Sequence, residues 1–283
     1  MRELMISLSI AHLLKQAQSH HPEIPALEIR LLLQHVLNVD RAWVIAHQND
    51  ALEANIHAEF QALLERRVAG EPLAYIVGCR EFYGLKLKVT PDTLIPRADT
   101  ETLVEATLEK ADIQATCRIL DLGTGSGAIA LAVAKHLPQA QVLAVDASER
   151  ALNIAHENAQ MLDIKNVSFL QSDWFGALSG ELFDVIVSNP PYIEESDPHL
   201  QQEDLRFEPM TALVAGKDGL EDLRVIIGGA KDHLKPHGWL MLEHGYNQSR
   251  GMRQLMREAG FVEIAHKFDL AGIARVTLAR WPD

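Results

Sequence analysis

The feature that most restricts the fold is a strand running into a glycine turn and then a helix. Cys117–Leu122 (CRILDL) is an apolar run of strand length, Gly123-Thr-Gly-Ser-Gly127 follows, and Ala128–His136 continues as an apolar helix. Beyond it the pattern keeps alternating. QVLAVD reads as a strand, Glu149–Met161 as a helix, NVSFLQ and FDVIVS as strands, Leu220–Leu234 as a helix, WLMLEH as a strand and Ser249–Ala259 as a helix. The end reads as two strands around Ala271-Gly272. Strands separated by helices pair in parallel, with helices on both faces, so the expectation is an α/β fold. The short link in the closing pair implies an antiparallel edge.

The glycine turn also predicts a ligand. Glycines let a ligand approach the backbone, and the first turn of a helix offers unpaired N–H groups. The following strand ends in Asp146, about 20 residues on, where nucleotide-binding sheets place an acceptor for ribose hydroxyls. Gly123, Gly125 and Ala128 fit the dinucleotide fingerprint too, so the spacing alone leaves the ribose ligand open. Asp121 and the loop Gly123, Thr124, Gly125, Ser126 and Gly127 together resemble the S-adenosylmethionine (AdoMet) loop of class I methyltransferases, and acidic residues near it suit a sulfonium cation.

The second signal is Asn189-Pro190-Pro191-Tyr192, at the end of the buried strand FDVIVS. An amide or exocyclic amine nitrogen is a poor nucleophile because its lone pair is delocalised. Two acceptors, the Asn189 side-chain oxygen and the Pro190 carbonyl, can hold its N–H groups and favour lone-pair density on nitrogen. Pro190 and Pro191 fix the turn, and Tyr192 is expected to stack on the planar group. The proton can leave after methyl transfer, so no general base is needed before attack. NPPY also serves base-amine methylation of RNA or DNA and so leaves the substrate open. A net charge of -13, with Arg66-Arg67 the only compact basic run, argues against a nucleic-acid backbone as partner. A dehydrogenase fits less well because no hydride-relay histidine is found, and a non-enzymatic binding module would not need NPPY beside a ribose-binding aspartate.

Residues 1–75 read as a helical domain, with apolar spacing in Ile10–Leu14, Leu27–Leu37 and Phe60–Val68 and an amphipathic helix from the first residues. They carry no catalytic set and are expected to dock a partner. Residues 76–98 form a linker with a hairpin, Glu81–Thr90 alternating around Gly84, and a helix starts near Asp99 or Thr100 in the domain spanning 99–283. Cys79 and Cys117 stand apart, consistent with a reducing cytoplasm. No histidine set has metal-ligand spacing, and no stretch is long and apolar enough for a membrane span.

Gly70-Glu-Pro-Leu-Ala-Tyr-Ile76, Gly78, Glu81-Phe-Tyr-Gly84, Leu94-Ile-Pro-Arg97 and Thr100-Glu101 resemble motifs of the release factor glutamine methyltransferases, the PrmC/HemK family. So do Ser172-Asp-Trp-Phe175, Glu208-Pro209, Gly216-x-Asp-Gly-Leu220 and Glu243-x-Gly245. The resemblance implies a class I (Rossmann-like) methyltransferase sheet of about seven strands behind a small N-terminal helical domain. It implies methyl transfer from AdoMet to the side-chain amide nitrogen of the glutamine in the GGQ loop of class 1 release factors. On the same ground Gly123 to Gly127, Asp146, Trp174 and Asn189 would contact AdoMet, and Asn189 to Tyr192 would hold the amide. Arg97 and Glu208 would order the site. Ala98 departs from the family's usual proline, which would pre-set the first helical turn.

Overall fold

A computed structural model describes residues 9–111 and 116–283, apart from the side chain of Glu203. The start of the expected N-terminal amphipathic helix, residues 1–8, lies outside the described residues. The chain divides into two compact units, one made of residues 1–78 with 202–207, the other of 79–201 with 208–283.

The first unit is helical: α1 (Ile10–His20), α2 (Ala26–Leu37), α3 (Arg41–Ala46), α4 (Ala54–Val68) and α5 (Leu73–Val77). Its core includes Ile10, Leu13, Ile29, Leu32, Leu33, Val44, Phe60, Leu64 and Ile76, inward positions of each helix. The Ser9 hydroxyl caps α1 by accepting from the His12 N–H (3.3 Å), and the Asp40 carboxylate caps α3 by accepting from the Trp43 N–H (2.7 Å). Residues 202–207 join this unit through cations. Arg67 bridges Glu28 (2.5 Å) and Asp204 (3.7 Å), and Arg206 donates to the Ala69 carbonyl (2.9 Å). Gly70, at φ +95°, leaves the space the Arg206 guanidinium fills: a Cβ there would lie 1.7 Å from it.

The second unit opens with an antiparallel hairpin, β1 (Cys79–Phe82) and β2 (Leu85–Lys88). A short 3-10 turn at Ala98–Thr100 leads into α6 (Glu101–Lys110). The expected alternation then follows: β3 (Arg118–Leu122), α7 (Ala128–His136), β4 (Gln141–Asp146), α8 (Glu149–Met161), β5 (Val167–Gln171) and β6 (Phe183–Ser188). The chain ends with α9 (Glu221–Ala230), β7 (Leu234–Glu243), α10 (Ser249–Glu258), β8 (Val262–Phe268) and β9 (Ala274–Arg280). These make a seven-stranded sheet in the order β5-β4-β3-β6-β7-β9-β8. Strands β3 to β7 are parallel, and β9 inserts antiparallel between β7 and β8, as the closing strand pair implied.

The central strands are buried on both faces. Ile119 faces a cluster containing Leu103, Val104 and the α7 side chains, while Leu120 and Leu122 face one containing Leu223, Ile226, Met252 and Met256. Helix α7 is buried on all sides, which explains a sequence apolar at nearly every position. Helix α9 ends four residues before the expected Leu234, and β7 begins there instead, with His237 at φ +66° and a register irregularity opposite Phe183 and Val185.

Candidate functional site

The carboxyl ends of β3, β4, β5 and β6 surround a cleft of about 580 Å³, where open α/β sheets bind ligands. Gly123, Gly125, Asp146, Trp174, Asn189 and Pro191 line it, so the two motifs converge on one site. A Cβ on Gly125 would meet nothing within 4 Å, and one on Gly123 would be in van der Waals contact with the Trp174 ring at 3.4 Å. Gly125 therefore leaves room that a bound molecule can occupy, while Gly123 lets the Trp174 ring lie against the backbone.

The rest of the glycine loop lies behind the cleft wall. Gly127, at φ +84°, starts α7 and packs on α8; a Cβ there would be 3.1 Å from both Ala155 and Leu131. Thr124 and Ser126 are buried. Thr124 donates to Asp121 Oδ2 (2.7 Å), which also accepts from the Ala130 N–H (3.2 Å). Asp121 is fully buried and ties the loop to α7; it does not face the cleft. Burial, against the opposing bonds from Thr124 and Ala130, pushes its carboxyl up to about 7. A raised carboxyl stabilises the fold below its unfolded value of about 4 and loses that contribution as pH rises through about 7. Asp121→Asn removes this dependence. Its stability relative to the parent should rise by roughly 1–3 kcal/mol between pH 5 and 8. Melting temperatures at the two pH values check this; a difference independent of pH would contradict it.

Asp146 sits at the end of β4 as expected. Its Oδ2 accepts from the Gly125 N–H (2.8 Å) and its Oδ1 from the Ser148 N–H (2.9 Å), and burial raises its pKa. Each oxygen keeps a lone pair for a ligand hydroxyl. Asp146→Ala should weaken AdoMet binding by about 1–3 kcal/mol. Titration calorimetry measures this directly, and unchanged affinity would remove the assignment.

Trp174 holds a left-handed backbone, φ +45°, unusual for a bulky aromatic residue. Ser172 Oγ donates to the Trp174 carbonyl (2.8 Å) and accepts from the Ala177 N–H (3.0 Å), and the Trp174 side chain lies beside Asp222. Asp92, Asp146, Asp173 and Asp222 line the cleft with Arg150 as its one basic residue among those described. A wall of carboxylates and glycine backbone suits a cationic sulfonium nucleoside such as AdoMet.

Asn189 is half-buried, and its Nδ2 donates to Thr100 Oγ1 (3.1 Å). Pro190 is buried and Tyr192 half-buried; neither lines this cleft. Tyr192 packs on the α9 and α10 side of the sheet, and its hydroxyl donates to Glu243 Oε1 (3.3 Å). Gln248 Nε2 donates to the carbonyls of Tyr192 (3.0 Å) and Gly219 (3.1 Å), clamping the NPPY turn from behind.

Arg97 and Glu208 form an ion pair, and Glu208 Oε2 accepts from the Ile95 N–H (2.9 Å). Glu208 is buried, and the pair ties together the two segments that supply Thr93 and Leu94, and Pro209, Thr211 and Ala212, to the cleft. No local sequence pattern marks Thr93, Thr211 and Ala212 as lining residues. Glu208-Pro209 was a motif without a stated contact, and Asp222 looks like any first-turn acidic residue. Asn158 was also missed. From α8 its Nδ2 donates to the carbonyls of Ser126 (2.8 Å) and Lys88 (3.0 Å), joining the glycine loop to the hairpin. Among the described residues no group of histidine, cysteine and carboxylate side chains is arranged to hold a metal.

Residues 9–78 match the family model described as PrmC N-terminal domain, and residues 113–270 the one described as Methyltransferase domain. A methyltransferase structure from Pyrococcus furiosus superposes with a TM-score of 0.54 at 19% identity, over 77% of this chain and 98% of that one, a likeness of fold. The release factor glutamine methyltransferase of Escherichia coli (strain K12) is 47% identical over 272 residues, 95% of this chain and 98% of its own. That of Xylella fastidiosa (strain 9a5c) is 51% identical over 259 residues, 92% of this chain and 94% of its own. With likeness of this extent across both units, the chain belongs to the release factor glutamine methyltransferase family, which are methyltransferase enzymes.

Proposed function

We propose that the methyl donor is AdoMet and the acceptor is the side-chain amide nitrogen of the glutamine in the GGQ motif of class 1 release factors. The observation that carries this reading is the Asn189 amide at the cleft. Its NH₂ group is engaged by Thr100, which leaves Oδ1 as an acceptor for a substrate N–H. Gly123, Gly125, Asp146 and Trp174 fit the donor, for the reasons of space and charge given above. When bound, AdoMet supplies a methyl group: the N–C bond forms as the S–C bond breaks, the sulfur leaves as a neutral thioether, and one amide proton goes to water.

The chain's own part is to hold and orient. Asn189 Oδ1 and the Pro190 carbonyl restrain the amide N–H groups, so the nitrogen lone pair is drawn out of conjugation. Pro190 and Pro191 cannot donate, and Gln248 fixes the turn that follows. For Tyr192, the bond to Glu243 supports a role in shaping the turn beside any stacking on the substrate.

The helical unit is proposed to dock the release factor. Leu27, Trp43 and Ile45 are exposed apolar residues on it, and a flexible loop alone offers less area than the ~1,000 Å² a stable interface needs. Cys79 and Cys117 form no disulfide, which suits a cytoplasmic enzyme, and no described helix is long and apolar enough to cross a membrane. Labelled AdoMet with purified release factor should mark the protein, and replacing its GGQ glutamine by asparagine should abolish the label, because the shorter amide cannot reach both acceptors. Labelling that persists in that variant, or that appears on naked RNA, would reassign the substrate.

A further inference from the structure

Asn189 can serve as an acceptor only if its amide is turned the right way. An amide carries a donor at one end and an acceptor at the other, and the two ends have nearly the same shape. Something behind the cleft must choose between them. Thr100, buried in the 3-10 turn before α6, accepts from Asn189 Nδ2 (3.1 Å), which leaves its hydroxyl hydrogen to donate elsewhere, and it lies beside Glu243 at the end of β7, whose buried Oε2 has no hydrogen-bond partner among the described residues.

We infer that Glu243, acting through Thr100, sets the orientation of the Asn189 amide and thereby the polarity of the substrate site. This rests on the amide-clamp reading proposed above. With the Thr100 hydroxyl turned to that open oxygen, donation has one consistent direction while Glu243 is ionised. A carboxylate only accepts, so the Thr100 hydroxyl must donate to it. Thr100 then has only lone pairs for Asn189, so Asn189 turns its NH₂ inward and its oxygen toward the cleft. Each bond polarises the next, which adds negative charge at Asn189 Oδ1. A protonated Glu243 can instead donate to Thr100. The hydroxyl is then free to donate to Asn189, the amide can flip, and its NH₂ group would oppose a substrate NH₂.

The surroundings make this a working equilibrium. Glu243 is buried; Tyr192 donates to it from the NPPY turn at 3.3 Å, and burial keeps the Tyr192 phenol protonated by raising its pKa. Burial also pushes Glu243 up to about 7, with Thr100 and Tyr192 opposing, Asp99 adding to the rise and Arg275 of β9 reducing it. Arg275 is held by Asp99 and Asp269, each at 2.9 Å. His244, next in the chain, faces elsewhere: its ring bonds the Gly245 carbonyl and the Thr277 hydroxyl, both at 2.9 Å. Arg97 adds positive charge near Tyr192. These are positioning residues, since neither Thr100 nor Glu243 lines the cleft.

The test is steady-state kinetics of the full chain on purified release factor from pH 6 to 9, with AdoMet affinity measured separately. In the parent, kcat should fall as pH drops through about 7. Glu243→Gln keeps the shape but can donate to Thr100. It should lower kcat roughly 10- to 100-fold and remove the acid limb, with KM and AdoMet Kd changed less than about threefold. Asp121→Asn, which removes the other carboxyl raised to about 7, should keep the limb. Should Glu243→Gln fold poorly, Thr100→Val breaks the relay from the other side, and Thr100→Ser should restore most of kcat. A Glu243→Gln enzyme with parental kcat and an intact acid limb would overturn the inference. So would a loss lying wholly in AdoMet affinity, or a Thr100→Ser variant as impaired as Thr100→Val. A parent that methylates no release factor would instead fail the amide-clamp reading, and the relay with it.

Discussion

Asn189→Ala is expected to lower kcat by about 100-fold or more, the scale for losing a preorganised polar partner of the transition state. Asn189 is at the junction of the two halves of the site. It lines the cleft with Gly123, Asp146 and Trp174, and it bonds Thr100 behind the wall. The donor's other contacts remain in the variant, so AdoMet affinity should drop far less than kcat. Alanine also leaves the Thr100 hydroxyl without its partner from Asn189, so Asn189→Asp is a useful companion. It keeps the oxygen but cannot donate to Thr100. Single-turnover rates separate these effects, and near-parental transfer in Asn189→Ala would remove the amide clamp.

Gly219→Ala should be as damaging without touching the cleft. Gly219 is at φ +67°, and a Cβ there would lie 2.4 Å from the Tyr192 carbonyl oxygen and 2.8 Å from Gln248 Nε2. Neither neighbour can move without disturbing the NPPY turn, because Gln248 is also bonded to the Gly245 N–H (2.8 Å). The Pro190 carbonyl and the Asn189 side chain would both lose their aim. A displacement of even 1 Å at a reacting group can cost about 100-fold in rate. The expected pattern is a kcat loss of that order with AdoMet binding largely retained, since the glycine loop and Asp146 lie on other strands. Parental kcat in a folded Gly219→Ala enzyme would contradict it.

Much of this was legible in the sequence because it depends on local periodicity. The strand–turn–helix at Cys117–His136 and the buried strand before Asn189 follow from apolar runs of the right length, and the parallel pairing follows from their alternation with helices; the strand order does not. Helix α3 was not legible: six residues give little period, and Asp40 as a cap resembles an ordinary turn residue. Helix α9 stops short of its apolar pattern because Leu234 and the residues after it pair with β6 in the sheet. Pairings distant in sequence were the other gap. Glu243 and Thr100 each stood in a motif, yet nothing local shows that they meet, or that Asn189 bonds one of them. The same holds for residues 202–207, which read as part of the sheet domain but are held by Arg67 and Gly70 of the helical unit. Asp121 reads as a cleft carboxylate from its place before the glycines; strand geometry turns it inward, under Thr124 and Ala130.

The central claim is that this site places a methyl group on a glutamine amide nitrogen. Its most direct test is fragmentation mass spectrometry of the GGQ-containing peptide from a purified class 1 release factor after incubation with the enzyme and AdoMet. The account predicts one added methyl group, on the side-chain nitrogen of that glutamine, absent when the enzyme is Asn189→Ala. A methyl group on another residue, or none on the release factor while an RNA or a small molecule is methylated, would contradict it.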